Sequence, residues 1–435
     1  MKVLVLHRRF RLQDRPTIDD HLYSFQRYSG DDEFAYLNLW GPAALTEEIL
    51  AYPYDAVIFH YTFLAARFDQ DFEQQYEKLR PLLQRLKGYK VFFVHDEYVF
   101  TRWLWKMIRD LDVGHVYATI YPEDYETVFP AAETGKTNLC STVLPGYVEE
   151  TRQMWINSRT SRSRKIDVGY RALRSDYAFG QHGYLKTQVA LEMQEAVRDT
   201  GLHTDIRMTE DGYVNTIVGD KWFDYLLNCR TTIGCLGGSS LMDPDGSLRR
   251  AATQYSKQHP KATYEEVEQA CYPGMDGQIH SHLFGPKIFE CAMTCTCQVL
   301  VKDDYRGVLE PGRDFIELEP DYSNIGHVLE MIRDISACET IAKRCYETLV
   351  ASGRYTYRKF AGEIMAEIRS AAPLQNADQT GWREVLRAAD EANRKFERVL
   401  RRRHLKQSLA QGLYQISPRL YHTVRQKRHG GGAER

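Results

Sequence analysis

The sequence lacks several features that would place a protein in a class at once. Among its 435 residues, no apolar run reaches the ~18 residues that a membrane-spanning helix needs. The formal net charge is −2, so the chain as a whole gives no sign of nucleic-acid binding. Its nine cysteines follow no regular spacing, so we expect a reducing compartment, the cytoplasm, rather than a disulfide framework.

The sequence also lacks the core of a signal peptide and a regular zinc-binding motif. The apolar run at residues 3–6 is too short for the core of a signal peptide, and we expect a first strand there. Cys291, Cys295 and Cys297 have a spacing that is unusual for zinc, with no second pair nearby. We interpret them as small buried residues of a helix and a strand, and we expect neither a metal site nor a bound cofactor.

The chain is long and rich in apolar residues. Hydrophobic residues make up 43% of the 435 residues, which is ample for burial. A chain of this length exceeds one ordinary core, so we expect two domains and an extension. The domains are predicted at residues 1–155 and 156–373, on either side of the polar, basic segment at residues 157–165, and the extension at residues 374–435.

The first domain alternates short apolar runs with amphipathic helical stretches. Strands are predicted at residues 3–6, 34–39, 56–59, 91–94 and 116–120, and helices at residues 71–86 and 101–111. Such alternation builds a parallel sheet with helices on both faces. Ligands of these sheets bind at the carboxyl ends of the strands, so His60, Asp96 and Glu97 should line a cleft.

A second alternating series follows, which predicts a second doubly wound α/β domain facing the first. Strands are predicted at residues 166–170, 231–233 and 297–301, and helices at residues 184–199, 222–228, 264–271, 324–335, 340–351 and 357–370.

The extension differs in charge. Residues 375–435 contain 14 Lys+Arg and 6 Asp+Glu, a net charge of +8. A long helix is predicted at residues 382–405. Its basic character would favour an anionic membrane surface, which would place the protein at the inner face of the membrane. The alternative is a solvated helix followed by a partly disordered tail.

The most informative segment runs from His282 to Glu290. Gly285-Pro286 predicts a turn with proline at the first position of a helix, and a helix start presents N–H groups that can bind a phosphate. Lys287 lies in the first turn of this helix. Glu290, one turn in, could accept hydrogen bonds from a sugar hydroxyl. Its alternative is an exposed carboxylate favoured by the helix dipole.

Several segments together resemble a family of bacterial glycosyltransferase-like proteins linked to surface polysaccharides and to spore maturation. The matching segments are residues 166–171, 219–226, 233–240, 243–246, 289–290, 305–311 and 321–324 in the second half, and residues 59–61 and 96–98 in the first. The resemblance covers roughly residues 50 to 365. It implies two Rossmann-like domains in the GT-B arrangement and a hexosyltransferase-like enzyme that needs no metal. Its partners would be a nucleotide-diphosphate-sugar donor and a glycan or lipid-linked acceptor.

The resemblance also implies a donor site. Arg171 and Lys186 occupy the places where GT-B enzymes hold the diphosphate, although either could be a surface charge. Glu290 would bind the donor ribose. His282 stands where retaining enzymes often have glutamate, so a retaining or an inverting outcome stays open, and a structural histidine is the alternative.

Two loops complete the predicted donor site. Gly238 and Ser239 belong to a turn that could approach a ligand closely or could be only a tight turn. Asp243-Pro244-Asp245 has the spacing of a metal-binding D-x-D motif, but Pro244-Asp245-Gly246 is a strong turn signal, and we favour the turn.

An inverting transfer needs a base, for which His60, Asp96 and Glu97 are the candidates. These residues could instead hold the acceptor or cap a helix. Two rival functions remain at this stage: a non-catalytic glycan- or nucleotide-binding protein of the same fold, and an epimerase of the same architecture. Convergence of Arg171, Lys186, His282 and Glu290 on the cleft between the domains would favour the transferase.

Overall fold

The computed structural model describes residues 1–9, 14–159, 163–175, 177–209, 216–373 and 379–416, with the side chains of residues 403–416 excepted. It contains two α/β domains, each built on a parallel sheet, and a helical C-terminal segment. The architecture predicted from the alternating sequence pattern is therefore confirmed.

The first domain carries a six-stranded parallel sheet with the order β2-β1-β3-β4-β5-β6. Its strands are β1 Lys2–His7, β2 Glu33–Asn38, β3 Ala56–Phe59, β4 Tyr89–Phe93, β5 His115–Ala118 and β6 Cys140–Thr142. Five of these strands match the predicted runs. β6 is only three residues long and was not predicted.

The second domain carries a five-stranded parallel sheet with the order β13-β12-β9-β7-β8, and a separate antiparallel pair, β10-β11. Its strands are β7 Ile166–Leu173, β8 Thr204–Thr209, β9 Cys229–Gly234, β10 Gly237–Ser239, β11 Ser281–Leu283, β12 Cys297–Val301 and β13 Ile316–Leu318. β8, at the sheet edge, has half-exposed and exposed positions and so lacks the apolar run that identified β12.

Helices cover both sheets. In the first domain they are α1 Pro16–Tyr28, α2 Glu47–Ala51, α3 Tyr61–Leu64, α4 Phe72–Arg85, α5 Thr101–Leu111, α6 Tyr125–Val128, α7 Ala131–Thr134 and α8 Glu150–Asn157. Beyond it they are α9 Gly180–Ala196, α10 Asp220–Asn228, α11 Ser247–Gln258, α12 Tyr264–Cys271, α13 Pro286–Met293, α14 Ile325–Arg333, α15 Ile335–Tyr346, α16 Tyr357–Ala371 and α17 Gln379–Ile416. All nine cysteines are free thiols.

The chain returns to the first domain at its C-terminal end. Tyr357, Phe360 and Ile364 of α16 lie in the same buried cluster as Phe25 of α1. We expected this helix to close the second domain, so a boundary at residue 373 does not separate the two cores. The apolar side chains of α16 pack against the first sheet and α1. This contact joins segments far apart in the chain, so the local sequence pattern does not predict it.

The C-terminal helix α17 also packs on the first domain. Trp382 is 1% exposed, and Val385 and Ala389 are buried beside it in the largest apolar cluster of that domain. Asn393 donates from its side chain to the carbonyl of Tyr36 on β2 (2.8 Å). The first half of the extension is therefore part of the folded domain, and the tail beyond residue 416 lies outside the described residues. A search of the described helices finds none long and apolar enough to cross a membrane.

Backbone hydrogen bonds join the two domains. The amide of Phe100 donates to the carbonyl of Asp243 (2.9 Å), and the amide of Asp243 donates to the carbonyl of Tyr98 (2.8 Å). The Asp243 carboxylate accepts from the amides of Leu248 (3.3 Å) and Arg249 (2.9 Å) at the start of α11. The carboxylate is thus used as a helix cap, which favours the turn interpretation of Asp243-Pro244-Asp245.

Candidate functional site

The start of α13 is a helix end without a compensating side chain. Gly285 is its N-cap, Pro286 its first residue, no side chain caps it, and its first turn holds no acidic residue. The positive end of the helix dipole is therefore not neutralised by the helix itself. The predicted turn and helix at Gly285-Pro286 are confirmed, and this end can attract an anion.

The start of α9, in contrast, is occupied by protein groups. The amide of Gln181 donates to the Asp276 carboxylate (3.1 Å), and the amide of His182 donates to Ser240 Oγ (3.1 Å). Lys186 lies in the second turn of α9 rather than at the helix start that we expected. The start of α13 is less fully occupied: Pro286 has no N–H, the amide of Ile288 donates to the carbonyl of Gly285 (3.0 Å), and the amide of Lys287 is the first-turn N–H group that can meet a ligand.

Two lysine ammonium groups flank the segment that joins β9 to β10. A Cβ built on Gly237 would lie 3.6 Å from Lys186 Nζ, and one built on Gly234 would lie 3.8 Å from Lys287 Nζ. Lys287 Nζ donates to the carbonyl of Ile233 (2.7 Å), and burial lowers the pKa of this lysine. Two cations beside a helix start form a site suited to a doubly charged anion such as a diphosphate.

His282 stands in a small cluster at the same segment. Its Nδ1 lies 2.9 Å from Asp303 Oδ1, and its ring stacks on that of His182 with centroids 3.6 Å apart and planes at 7°. His182 Nε2 donates to the carbonyl of Gly237 (2.9 Å). His282 is thus half-buried at the edge of the lysine-lined segment, and its role beside a transferred sugar stays a prediction.

The charges of this cluster are set by burial and by the contact between His282 and Asp303. Burial, with the charge of His282, lowers the pKa of His182 to about 4, so its ring is neutral at pH 7. Burial acts to raise the pKa of Asp303, but the hydrogen bond with His282 and its charge outweigh burial, and the pKa is lowered. Asp303 is therefore a carboxylate that faces two imidazole rings.

Glu290 bridges the two domains. Thr17 Oγ1, in the first turn of α1, donates to Glu290 Oε1 (2.5 Å). Trp222 Nε1, on α10, donates to Glu290 Oε2 (2.8 Å). Both carboxylate oxygens already have a partner, one from each domain. A sugar hydroxyl that reached Glu290 would compete with the hydroxyl of Thr17 for Oε1.

Arg171 is not brought to this cluster. Its guanidinium pairs with the Asp205 carboxylate on the neighbouring strand β8 and donates to the carbonyl of Asp205 (2.8 Å). It also lies 4.8 Å from the centroid of the Tyr225 ring. The prediction that Arg171 binds phosphate is corrected here: a strand position next to the sheet edge pairs it with a carboxylate across the ladder.

Gly238 and Ser239 serve the protein rather than a ligand. Ser239 is fully buried, and its Oγ lies 2.8 Å from the carbonyl oxygens of Phe179 and Leu241, either of which can accept its one proton. Gly238 has φ +106°, and a Cβ there would lie 1.6 Å from the carbonyl oxygen of Ser281. The close approach that we predicted for this turn is real, but the partner is strand β11.

Gly238→Ala is expected to lower the free energy of unfolding by roughly 3 kcal/mol or more, because the methyl group has no room and the backbone is left-handed. Gly285→Ala is the matched control, since no atom lies within 4 Å of its Cβ position, and its cost should stay below about 1 kcal/mol. Urea unfolding of both variants measures the difference. Equal losses would contradict this account of Gly238.

Two of the three candidate bases in the first domain are buried. His60 Nδ1 accepts from the amide of Thr62 (3.2 Å) and caps α3, so its proton lies on Nε2, which contacts His21 Nδ1 (3.0 Å). Glu97 is fully buried against Thr119, and burial raises its pKa to about 7. A base must lie within hydrogen-bond reach of its substrate. Neither residue therefore fits the predicted role.

Asp96 is the exposed member of the three candidates. It lies in the left-handed backbone region at φ 55°, and its Oδ1 accepts from the hydroxyl of Tyr98 (2.8 Å). Its exposed side chain stands three residues after the end of β4, at the carboxyl edge of the sheet. Of the predicted bases, Asp96 alone is exposed to solvent.

Three residues of this site were not predicted from the sequence: His182, Asp303 and Thr17. Asp303 carried a usable signal, because it follows the buried strand β12 at its carboxyl end. His182 and Thr17 carried none. Each lies in the first turn of a helix and reaches the site only through contacts between segments far apart in the chain.

Comparison with known proteins gives a structural likeness and no sequence match. No protein-family model and no curated protein matches the chain. Anabaena Alr3699/HepE in complex with UDP and glucose is 13% identical, covers 85% of this chain and 100% of that chain, and has a TM-score of 0.45. T4 phage BGT in complex with its UDP-glucose substrate is 10% identical, with 86% and 100% covered and a TM-score of 0.47.

A third similar structure is an α-glucosyltransferase in complex with UDP-glucose and DNA containing an abasic site. It is 11% identical, with 85% of this chain and 99% of that chain covered and a TM-score of 0.47. At these identities and scores, the likeness assigns neither an activity nor a ligand to this chain.

Proposed function

We propose that this protein is a GT-B glycosyltransferase that moves a sugar from a nucleotide-diphosphate donor to a glycan or lipid-linked acceptor. One observation carries the proposal: Lys186, Lys287 and the uncapped start of α13 surround one short segment, with His282 beside it. These groups offer positive charge for a diphosphate next to a ring that can meet the transferred sugar.

The chemistry follows from the charge that develops on the departing nucleoside diphosphate. Two ammonium groups and a helix start stabilise that charge in the transition state when they are held in place beforehand. Lys287 is held by the carbonyl of Ile233, so it needs little reorganisation. This set of positive groups can act without a metal ion, and we propose a metal-independent transfer.

His282 and Asp96 are the residues that we assign to the two sides of the reaction. Asp303 accepts from His282 Nδ1, which leaves the lone pair of Nε2 to accept from a sugar hydroxyl. Asp96 is the base that would take the proton of an acceptor in an inverting reaction. Both a retaining and an inverting outcome fit this arrangement.

Binding and turnover test the proposal in two steps. Calorimetric titration of the full chain with UDP-glucose, and then with other nucleotide sugars, should give saturable binding to at least one of them. A hydrolysis or transfer assay on that donor in excess chelator should then show release of the nucleoside diphosphate. Absence of binding to every donor would overturn the proposal, and loss of turnover in chelator would overturn its metal-independent form.

A non-catalytic nucleotide- or glycan-binding protein is the second candidate. The observation that favours it is the occupancy of Glu290, whose two oxygens are bound by Thr17 and Trp222. Under this alternative the same titration would show binding, and the turnover assay would show no release of nucleoside diphosphate.

Thr17→Val is expected to raise the affinity for the donor about three- to tenfold. The reason is that binding of ribose to Glu290 requires the hydrogen bond from Thr17 to break, at a cost of about 1 kcal/mol. Thr340→Val, on an exposed face of α15, is the matched control and should leave the affinity unchanged. Calorimetric titration measures both. An unchanged or lowered affinity in Thr17→Val would remove Glu290 from the ribose site.

A cytoplasmic location at an anionic membrane surface is also part of the proposal, through the basic end of α17. The test must spare Trp382 and Leu400, which are buried, so the shortened chain should end after Arg402 rather than before α17. If the shortened and full chains bind anionic liposomes equally, the membrane contact through this segment is excluded.

A further inference from the structure

His182, His282 and Asp303 have the arrangement of metal ligands. One ligand atom from each of the three residues lies within 4.8 Å of the others. The residues come from three separate elements: α9, β11 and the segment that follows β12. None of the three is fully exposed: His182 is 8% exposed, and His282 and Asp303 are half-buried.

The hydrogen bonds around His182 fix which nitrogen is free for a metal. Its Nε2 donates to the carbonyl of Gly237 (2.9 Å), so its Nδ1 carries a lone pair and lies 3.8 Å from Asp303 Oδ2. A histidine that ligates a metal almost always donates its other N–H to a carbonyl or carboxylate. His182 has this outer partner in place before any ion arrives.

The second imidazole faces the same carboxylate. The ring of His282 is stacked on that of His182 with planes at 7°, and its Nδ1 lies 2.9 Å from Asp303 Oδ1. The amide of Asp304 also donates to Asp303 Oδ1 (2.7 Å) and holds the carboxylate in position. Two imidazole nitrogens and one carboxylate oxygen are a ligand set that suits Zn²⁺ and similar divalent ions.

We propose that His182 Nδ1, His282 Nδ1 and Asp303 bind a divalent transition-metal ion of the zinc class at the edge of the lysine-lined segment. Binding requires Nδ1 of His282 to lose the proton that faces Asp303, so that the metal-bound ring carries its one proton on Nε2. It also requires the two stacked rings to tilt, because a metal ion lies in the plane of each imidazole that binds it. The ion therefore replaces the hydrogen bond between His282 and Asp303. Metal binding itself does not depend on the proposed transfer reaction.

One consequence does rest on the proposed function. If His282 Nε2 meets the sugar, its lone pair is lost when the proton moves there, so the bound ion should inhibit transfer. The site would then act as an inhibitory metal site beside a reaction that needs no metal.

Cobalt binding to the full chain tests the site directly. Titration with Co²⁺ under reducing conditions should give saturable visible absorption without the intense sulfur-to-metal bands that the nine free cysteines would produce. His282→Gln and Asp303→Asn should each weaken binding at least about tenfold. Glu73→Gln, at an exposed carboxylate of α4 in the first domain, is the matched control and should bind Co²⁺ as the unchanged chain does.

Each outcome of the Co²⁺ titration either supports the metal site or overturns it. Equal affinity in all variants, sulfur-to-metal bands, or no saturable absorption at millimolar Co²⁺ would each overturn the proposal. X-ray absorption of the unchanged chain with Zn²⁺ bound gives a measurement free of any variant's folding defect, and two imidazole ligands are expected. Inhibition of transfer is read separately, so a chain that binds Co²⁺ but turns over no donor overturns only the transferase.

Discussion

Lys186→Met is expected to lower the rate of donor cleavage by about 10²-fold, the effect of removing one preorganised positive group from a developing anion. Lys186 Nζ lies near Gly237, at one end of the segment between β9 and β10, and Lys287 Nζ lies near Gly234, at the other end. Methionine keeps most of the stem and removes the charge, so the packing of α9 is preserved. The measurement is kcat/KM for release of the nucleoside diphosphate from the donor identified by titration.

Lys343→Met, an exposed lysine of α15, is the control for the loss of one positive charge and should leave kcat/KM unchanged. Thermal unfolding of both variants shows whether the fold is retained. A folded Lys186→Met that cleaves the donor at the original rate would show that the diphosphate is bound elsewhere. The proposed donor site would then be wrong even if the protein is a glycosyltransferase.

The free energy of unfolding is expected to fall steeply between pH 6.5 and pH 5, because histidines are buried at the carboxyl edge of the first sheet. Burial lowers the pKa of His7, which is 3% exposed, to about 3, and that of His95 to about 3. The unfolded value is ~6.5, so the unfolded chain binds more protons throughout this range. Stability is therefore complete above about pH 6.5 and is lost as the pH falls.

The expected size follows from linkage. At pH 5 each of the two histidines removes up to about 2 kcal/mol relative to pH 7.5, against a total stability of roughly 5–15 kcal/mol. Burial also lowers the pKa of His21 and of His60, which are hydrogen-bonded to each other, so the effect has the same sign throughout this region.

Urea unfolding at a series of pH values measures this slope. His95→Gln should reduce the slope, whereas His203→Gln, an exposed histidine, should leave it unchanged. The slope is the quantity to compare, since loss of the stacking of His95 on Tyr61 (3.7 Å) changes the stability at every pH. A pH-independent stability between 7.5 and 5 would contradict the neutral, buried state of these histidines.

Local sequence patterns determined many of the helices and strands of both domains. The strands Ala56–Phe59 and Cys297–Val301 and the helix Thr101–Leu111 are found where their apolar periodicity predicts them. Those features depend on residues that are neighbours in the chain. The helix start at Gly285-Pro286 was predictable for the same reason, and with it the positions of Lys287 and Glu290.

Only the tertiary structure decided which side chains meet. Arg171 was a plausible phosphate ligand until the adjacent strand supplied Asp205, and His60 and Glu97 were plausible bases until packing buried them. A strand's carboxyl end is visible in the sequence, but whether a side chain there stays open depends on what covers it.

The sequence by itself thus determined two α/β domains, a basic C-terminal helix and a phosphate-suited helix start. The tertiary structure decided that α16 and α17 return to the first domain, and that His182, His282 and Asp303 form one cluster. It also joined Thr17 to Glu290, 273 residues further along the chain. Periodicity reports the face that a segment buries, whereas these contacts depend on which distant segment arrives to cover it.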